Sequence, residues 1–351
     1  MKQTLVILLA LFVLASCQSN TKKEGSASNV SLTAAGATFP MPYYNMVFKM
    51  YTDKVGTAVT YGGIGSGGGI KSLADKVVDF GASDAFLEDA KLAEMPSTVV
   101  HIPTCIGAVV LAYNLPGVDG LKLSSDLLEK IFLGEIKKWN DAAIAKNNEG
   151  LALPNQDITV VYRSDGSGTT QIFSDYMSKI STKWAEKVGA GKSLNWPVGI
   201  GAKGNPGVAG TIAATAGTIG YIGSEYSFSM KIQTALVQNK AGNYVEPSIA
   251  SISAAAKGDI PEDTRVMLTN SDDPESYPIS GFTWIILFKE QSYNNRSIEQ
   301  ATATVKLLDW LISSEAQAVA EKVHYAPIPE ATVIKAKNIL KSVTFEGKPI
   351  L

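Results

Sequence analysis

Metal-ligating and redox side chains are scarce in this chain of 351 residues, which holds two cysteines, at 17 and 105, and two histidines, at 101 and 324. At those spacings they form neither a Cys/His metal site nor a disulfide framework, and no cofactor is expected. An excess of one charge is also missing. Lysine and arginine number 31 against 33 acidic residues, a net of −2, which argues against nucleic acid as a partner. No stretch reaches the roughly eighteen apolar residues that a spanning helix needs. The glycines and prolines follow no period and no internal repeat is present, so a collagen-like chain is excluded. What the chain does have is 45% hydrophobic composition, enough for two cores, and a length that suits about two domains.

The N-terminus sets the compartment. Lys2 precedes an apolar run from Leu5 to Val13 that suits the h-region of a secretory signal over residues 1–16. The run ends in Leu14-Ala15-Ser16-Cys17, which resembles the lipobox of bacterial lipoproteins. That resemblance implies diacylglycerol on the Cys17 thiol and a membrane-anchored protein of the periplasm or cell surface; an ordinary signal peptide with an incidental cysteine is the alternative. Residues 17–30 are small and polar, the composition of a flexible tether, so the folded chain is expected to begin near Ser31. Cys105 lies in an apolar run and reads as a buried, inert thiol.

Hydrophobic periodicity then alternates between strand and helix. Strands are expected at 30–35, 57–62, 77–80, 98–113, 158–162, 219–222 and 282–288. Helices are expected from Pro40 to Val55, through Leu73, and at 124–133, 168–188, 207–215, 297–321 and 331–341. The alternation points to an α/β fold with largely parallel sheets, in which ligands sit beyond the carboxyl ends of strands.

Four segments occupy such places. Gly36-Ala37-Thr38-Phe39-Pro40 joins a glycine to a helix start, where Thr38 and the Phe39 amide face open space. Residues 62–69 hold six glycines around Ser66, and amides freed in this way can form an anion-binding concavity. Ile70 stands where a Walker A motif needs glycine before Lys71-Ser72, and Gly63, Gly65 and Gly68 match the dinucleotide fingerprint only as any glycine run would. Asp79 to Ala85 carries Asp84 in a turn of small residues, where capping of the next helix is the plainer reading. In the fourth segment, from Val160 to Thr170, Arg163, one of only three arginines, precedes Ser167-Gly168-Thr169 at a helix start. Guanidinium, hydroxyls and amides converge there as a tetrahedral oxyanion requires, with Asp165 placed to hold Arg163.

Together these segments resemble the periplasmic phosphate-binding proteins of bacterial ABC phosphate importers, the PstS family. Further similarity lies at Tyr113-Asn114-Leu115-Pro116-Gly117, Ile131 to Trp139, Gly204-Asn205-Pro206-Gly207-Val208-Ala209, Gly217-Thr218-Ile219-Gly220-Tyr221 and Tyr277-Pro278-Ile279. The resemblance implies a two-lobed periplasmic-binding-protein fold of type II. Residues 31–110 and 272–351 would form lobe I and 111–271 lobe II, with hinge crossings near 105–113 and 268–282. It implies a monomeric receptor rather than an enzyme, delivering inorganic phosphate to a permease and its cytoplasmic ATPase. The implied phosphate ligands are Thr38, Phe39, Ser66, Asp84, Arg163, Ser167, Gly168 and Thr169, with Asp165 behind Arg163 and Arg163 as the only fixed positive charge. Gly67 departs from the family, which often has a second serine there, and Ser280-Gly281-Phe282 departs from a Ser/Thr-rich version. Two other readings stand beside this one. One is a receptor for another oxyanion on the same scaffold. The other is a secreted phosphate-ester hydrolase, for which neither a His/Asp arrangement nor a G-x-S-x-G elbow can be placed. Asp84 separates the readings of the scaffold, because phosphate at neutral pH still carries a proton for a carboxylate to accept and sulfate carries none.

Overall fold

The computed structural model describes residues 30–351. The expected signal peptide (1–16), Cys17 and the tether as far as residue 29 lie outside the described residues. The elements that build the main sheet and frame its cleft are, in chain order, β1 (Ser31–Gly36), α1 (Met41–Val55), β2 (Ala58–Gly63), α2 (Ser66–Ala74), β3 (Phe80–Ser83) and β4 (Val99–Tyr113). They continue with β5 (Thr159–Arg163), α3 (Gly168–Ile180), β6 (Ile200–Ala202), α4 (Gly204–Ala214), β7 (Thr218–Gly223), α5 (Ser224–Met230) and β8 (Ser280–Phe288).

The strands run in the order β2-β1-β3-β8-β4-β7-β5-β6. β4 joins two half-sheets. Its first part pairs with β8, from Val99 opposite Phe288 to Ala108 opposite Ser280, and its second part pairs with β7, from Val109 opposite Gly223 to Tyr113 opposite Ile219. One strand therefore changes partners between Ala108 and Val109. Its near-continuous apolar sequence follows from burial on both faces, and only Val100 is not fully buried.

The outer pairs β1–β2, β1–β3, β5–β6 and β5–β7 are parallel, as the alternating pattern predicts. The inner pairs β3–β8, β8–β4 and β4–β7 are antiparallel. The sheet is thus mixed rather than largely parallel, because the long central strands carry the chain between the halves instead of returning through a helix.

Each half-sheet has an aromatic core. On one side α1 turns Tyr43, Tyr44, Val47, Phe48 and Tyr51 inward at helical spacing and stops at Gly56, whose φ of 83° a glycine adopts readily. On the other, Phe173 of α3 stacks on Tyr221 of β7 with centroids 4.6 Å apart. The helix expected over 168–188 is two, because Ser181 ends the first and its hydroxyl caps Thr182–Lys187. Ser313 divides the helix expected over 297–321 in the same way. The strand expected at 77–80 lies at Phe80–Ser83, leaving Val77 exposed. No helix among the described residues is long and apolar enough to cross a membrane. Cys105 is a free, fully buried thiol whose pKa burial drives well up.

Candidate functional site

The carboxyl ends of β1, β2, β3 and β5 converge. β1 delivers Thr38 and Phe39, β2 leads to Ser66 at the first residue of α2, and β3 leads to Asp84. β5 ends on Arg163, and α3 begins at Gly168-Thr169 behind Ser167, whose hydroxyl caps it by accepting from the Thr170 N–H at 3.0 Å. All eight expected ligand residues are buried.

Hydrogen bonds cross between the two groups. The Thr38 hydroxyl oxygen accepts from Asn205 twice, from its backbone N–H at 3.0 Å and its side-chain amide at 3.2 Å. The same Asn205 amide donates to the Thr169 hydroxyl at 3.0 Å, and Arg163 donates to that hydroxyl at 3.3 Å. Ser66 Oγ accepts from the N–H of Gly168 at 3.1 Å and of Asp84 at 3.3 Å. A hydroxyl has two acceptor positions and one proton. In Thr38 and Thr169 the protein fills both acceptor positions and leaves the proton to donate, and in Ser66 it fills both while the hydroxyl also bonds the Asp84 carboxylate. The Gly168 amide, expected to face the ligand, meets Ser66 instead.

Arg163 is locked. Its Nε and Nη2 donate to the two carboxylate oxygens of Asp165 at 2.8 and 2.6 Å, a bidentate fork, and Asp165 also accepts from the Gly204 N–H at 2.9 Å. Burial alone would raise the pKa of Asp165, yet the Arg163 guanidinium holds it below the usual carboxylate value. Asp84 is the opposite case. It is 1% exposed, and burial pushes its pKa up to about 7. The hydrogen bond donated by Thr283 at 2.9 Å, the charges of Arg163 and Lys192, and Ser66 only partly offset that rise. Asp84 does not cap the helix Asp89–Ala93, since Glu88 holds the N-cap position. Arg163 is also not alone. Half-buried Lys192 contributes a second positive charge, its own pKa lowered by burial.

Glycines bring the two sides this close. The Gly67 N–H donates to the Gly166 carbonyl at 2.9 Å, and a Cβ at Gly67 would stand 3.2 Å from Gly166 Cα. A side chain at position 67 would press on that backbone across the cleft, and glycine there avoids it. A Cβ on Gly168 would stand 2.5 Å from Ser66 Oγ. Beside these residues a cavity of about 200 Å³ lies between Thr38, Met41 and Ile64 on one side and Asp165, Lys203 and Gly204 on the other.

Asn205 and Thr283 complete the network and are not among the ligands expected from sequence, although Asn205 lies in one of the segments that carry the family resemblance. Asn205 carries a local signal, a strand-to-helix junction like the other four. Thr283 directly follows Ser280-Gly281-Phe282, noted for departing from a Ser/Thr-rich version, but its hydroxyl's reach to Asp84 comes only from the pairing of β8 with β3.

The chain matches the PBP superfamily domain over residues 22–315. The phosphate-binding protein PstS of Pasteurella multocida is 41% identical over 310 residues, covering 87% of this chain and 88% of that protein. PstS of Haemophilus influenzae is 41% identical over 319 residues, covering 89% and 93%. Among solved structures, a phosphate-binding protein from Stenotrophomonas maltophilia superposes with a TM-score of 0.65 at 18% identity, covering 88% of this chain and 93% of that one. The strand order, the shared β4 and these likenesses agree: the chain is a two-lobed α/β protein of the type II periplasmic-binding-protein fold, and it belongs to the PstS family.

Proposed function

We propose that this protein is an extracytoplasmic receptor that binds inorganic phosphate between its lobes and delivers it to an ABC-type permease driven by a cytoplasmic ATPase. The observation that carries the reading is the set of three hydroxyls, Thr38, Ser66 and Thr169, whose acceptor positions are filled by the protein. Such a set offers protons only, that of Ser66 shared with Asp84, and with the Arg163 guanidinium, the Phe39 amide and the Ser167-Gly168 turn, whose Gly168 amide orients Ser66, it suits a dehydrated oxyanion. Asp84 selects within that class. Phosphate at neutral pH retains a proton that Asp84 accepts, whereas sulfate sets an unpaired charge against the carboxylate. No step of bond breaking is assigned, and the role is binding.

Residues 31–110 with 272–351 and residues 111–271 form the proposed lobes, and the partner change of β4 at Ala108/Val109 supports a crossing within 105–113. The Leu14-Ala15-Ser16-Cys17 sequence supports lipidation of Cys17. Palmitate labelling that persists in Cys17→Ala would remove the anchor from the proposal. Isothermal titration of the folded domain tests the core reading: phosphate is expected to bind tightly at pH 8 with sulfate far weaker, and equal binding of both anions, or of neither, contradicts it.

A further inference from the structure

Three tyrosines close on three consecutive carbonyls of the loop after β1. Tyr61 of β2 donates its hydroxyl proton to the Ala37 carbonyl at 2.6 Å, Tyr226 of α5 donates to the Thr38 carbonyl at 2.5 Å, and Tyr325 donates to the Phe39 carbonyl at 2.5 Å. They come from three separate parts of the chain, 24, 188 and 286 residues from their partners. Tyr226 and Tyr325 are buried and Tyr61 is partly so. Burial holds all three phenols far above their ordinary pKa, so each remains a proton donor at any physiological pH.

We infer that these tyrosines are positioning residues for phosphate. By pinning the carbonyls of Ala37-Thr38-Phe39, they aim the opposite side of the same peptide planes, above all the Phe39 N–H, into the cleft. A trans peptide points its C=O and its N–H in opposite directions, so fixing one fixes the other. Among the described residues no protein acceptor faces the Phe39 N–H. The hydroxyls have a second effect. Each carbonyl oxygen is a partial negative charge close to a site for an anion, and a donated proton offsets it.

The three contacts are not equivalent, and their ranking is specific to this geometry. Tyr226 holds the Thr38 carbonyl, which belongs to the same peptide unit as the Phe39 N–H. Tyr325 holds the Phe39 carbonyl, whose peptide partner is the nitrogen of Pro40 and carries no proton. Tyr325 also lies beside buried Glu225, a carboxyl that burial drives well up and so keeps from competing as an anion. Tyr226 further ties the loop to the opposite half of the sheet, since α5 follows β7 directly.

The inference rests on the proposed phosphate site, and the experiment separates the two. The full folded domain is labelled with nitrogen-15 and titrated with inorganic phosphate, reading the Phe39 amide proton together with the dissociation constant. Unmodified protein is expected to show a large downfield displacement of that proton. Tyr226→Phe is expected to reduce the displacement and weaken phosphate roughly five- to tenfold, and Tyr325→Phe to weaken it less. Tyr113→Phe is the matched control, because Tyr113 is equally buried and donates to a single carbonyl, that of Val118, at 3.0 Å away from the site. It is expected to cost stability without moving the Phe39 response. If unmodified protein gives no Phe39 response, the site assignment fails and the inference with it. If the response is present and Tyr226→Phe retains it in full, the positioning role alone is overturned. Should Tyr226→Phe not fold, Tyr61→Phe and Tyr325→Phe decide by the same readout, and wild-type behaviour in both contradicts the inference.

Discussion

On the side of the cleft built by β1, β2 and β3, the carboxylate is Asp84, bonded by the hydroxyls of Thr283 and Ser66, with burial pushing its pKa to about 7. On the side built by β5 and α3, the carboxylate is Asp165, clamped by two guanidinium nitrogens and held below its ordinary value. The same residue type therefore does two jobs. Asp165 serves Arg163 and is an ion throughout the neutral range, while Asp84 is balanced near neutrality and poised to share a proton. The difference lies in which carboxylate has the cation within hydrogen-bond reach, since both lose solvation on burial. Their contributions to stability carry opposite signs. Asp165, depressed in the folded state, stabilises above the unfolded carboxylate pKa and loses that contribution as pH falls through it. Asp84, raised in the folded state, contributes most below pH 3.8 and loses that contribution as pH rises toward 7.

Removing the cation breaks the comparison most severely. Arg163→Met leaves the partly buried Asp165 without its cation, and is expected to cost about 3–5 kcal/mol of stability and about 2–4 kcal/mol of phosphate affinity. Denaturation and titration calorimetry read the two. Adding Asp165→Asn should recover much of the stability and none of the affinity. The proper control is Arg265→Met, since Arg265 is a partly exposed arginine paired with Asp89 and Asp263. Arg296 is unsuitable, because it forms a buried ion pair with Asp79 at 2.5 Å and its loss would unsettle β3.

Asp84→Asn sharpens the comparison without ligand. It removes the cost of ionising a buried carboxylate, so the variant should exceed wild type in stability above pH 7 by an amount on the order of 4 kcal/mol. The gain should vanish near pH 4. Denaturant titrations in phosphate-free buffer at both ends of that range check it, and a constant difference would place the Asp84 pKa elsewhere.

His101 supplies the background against which these slopes are read. Burial first, and then the charge of Arg265, lower its pKa to about 3, and its Nε2 accepts from the Leu87 N–H at 3.0 Å. Its contribution is complete above pH 6.5 and is lost as pH falls toward 3, the reverse of Asp84. His101→Gln keeps an acceptor for Leu87 and should remove an acid loss on the order of 2 kcal/mol by pH 5, measured as the pH dependence of denaturation midpoints. The smallest effect is expected at Gly67→Ser, where the new Cβ presses on Gly166. Phosphate affinity should fall by under about 1 kcal/mol, and calorimetry reads it.

Much of this proposed site is legible in the sequence because its proposed ligands sit in short motifs at strand ends, where spacing alone places hydroxyls, amides and one arginine together. Arg163 and Asp165 stand two residues apart, so their pairing is a local fact. The support is not local. Asn205 reaches Thr38 across 167 positions, Thr283 reaches Asp84 across 199, and Tyr325 reaches Phe39 across 286, so only the fold defines them. The same limit applies to the sheet. The run at 98–113 reads as one strand, and β4 is one, but that it serves two half-sheets and makes their junction antiparallel depends on partners distant in sequence. The split helices are a different case. Ser181 and Ser313 are N-caps inside runs whose apolar spacing continues past them, so periodicity outweighs a cap signal that was present.

Asp84 is proposed to make this cleft a phosphate site rather than a general oxyanion site, through a proton that phosphate has at neutral pH and sulfate lacks. The direct measurement is the ratio of phosphate to sulfate affinity in wild type and Asp84→Asn, from pH 5 to 8. The wild-type ratio should be high and should rise with pH as Asp84 ionises around pH 7, while the variant ratio should be low and nearly flat. An equal ratio in both proteins, or a wild-type ratio that falls as Asp84 ionises, would rule out selection by Asp84.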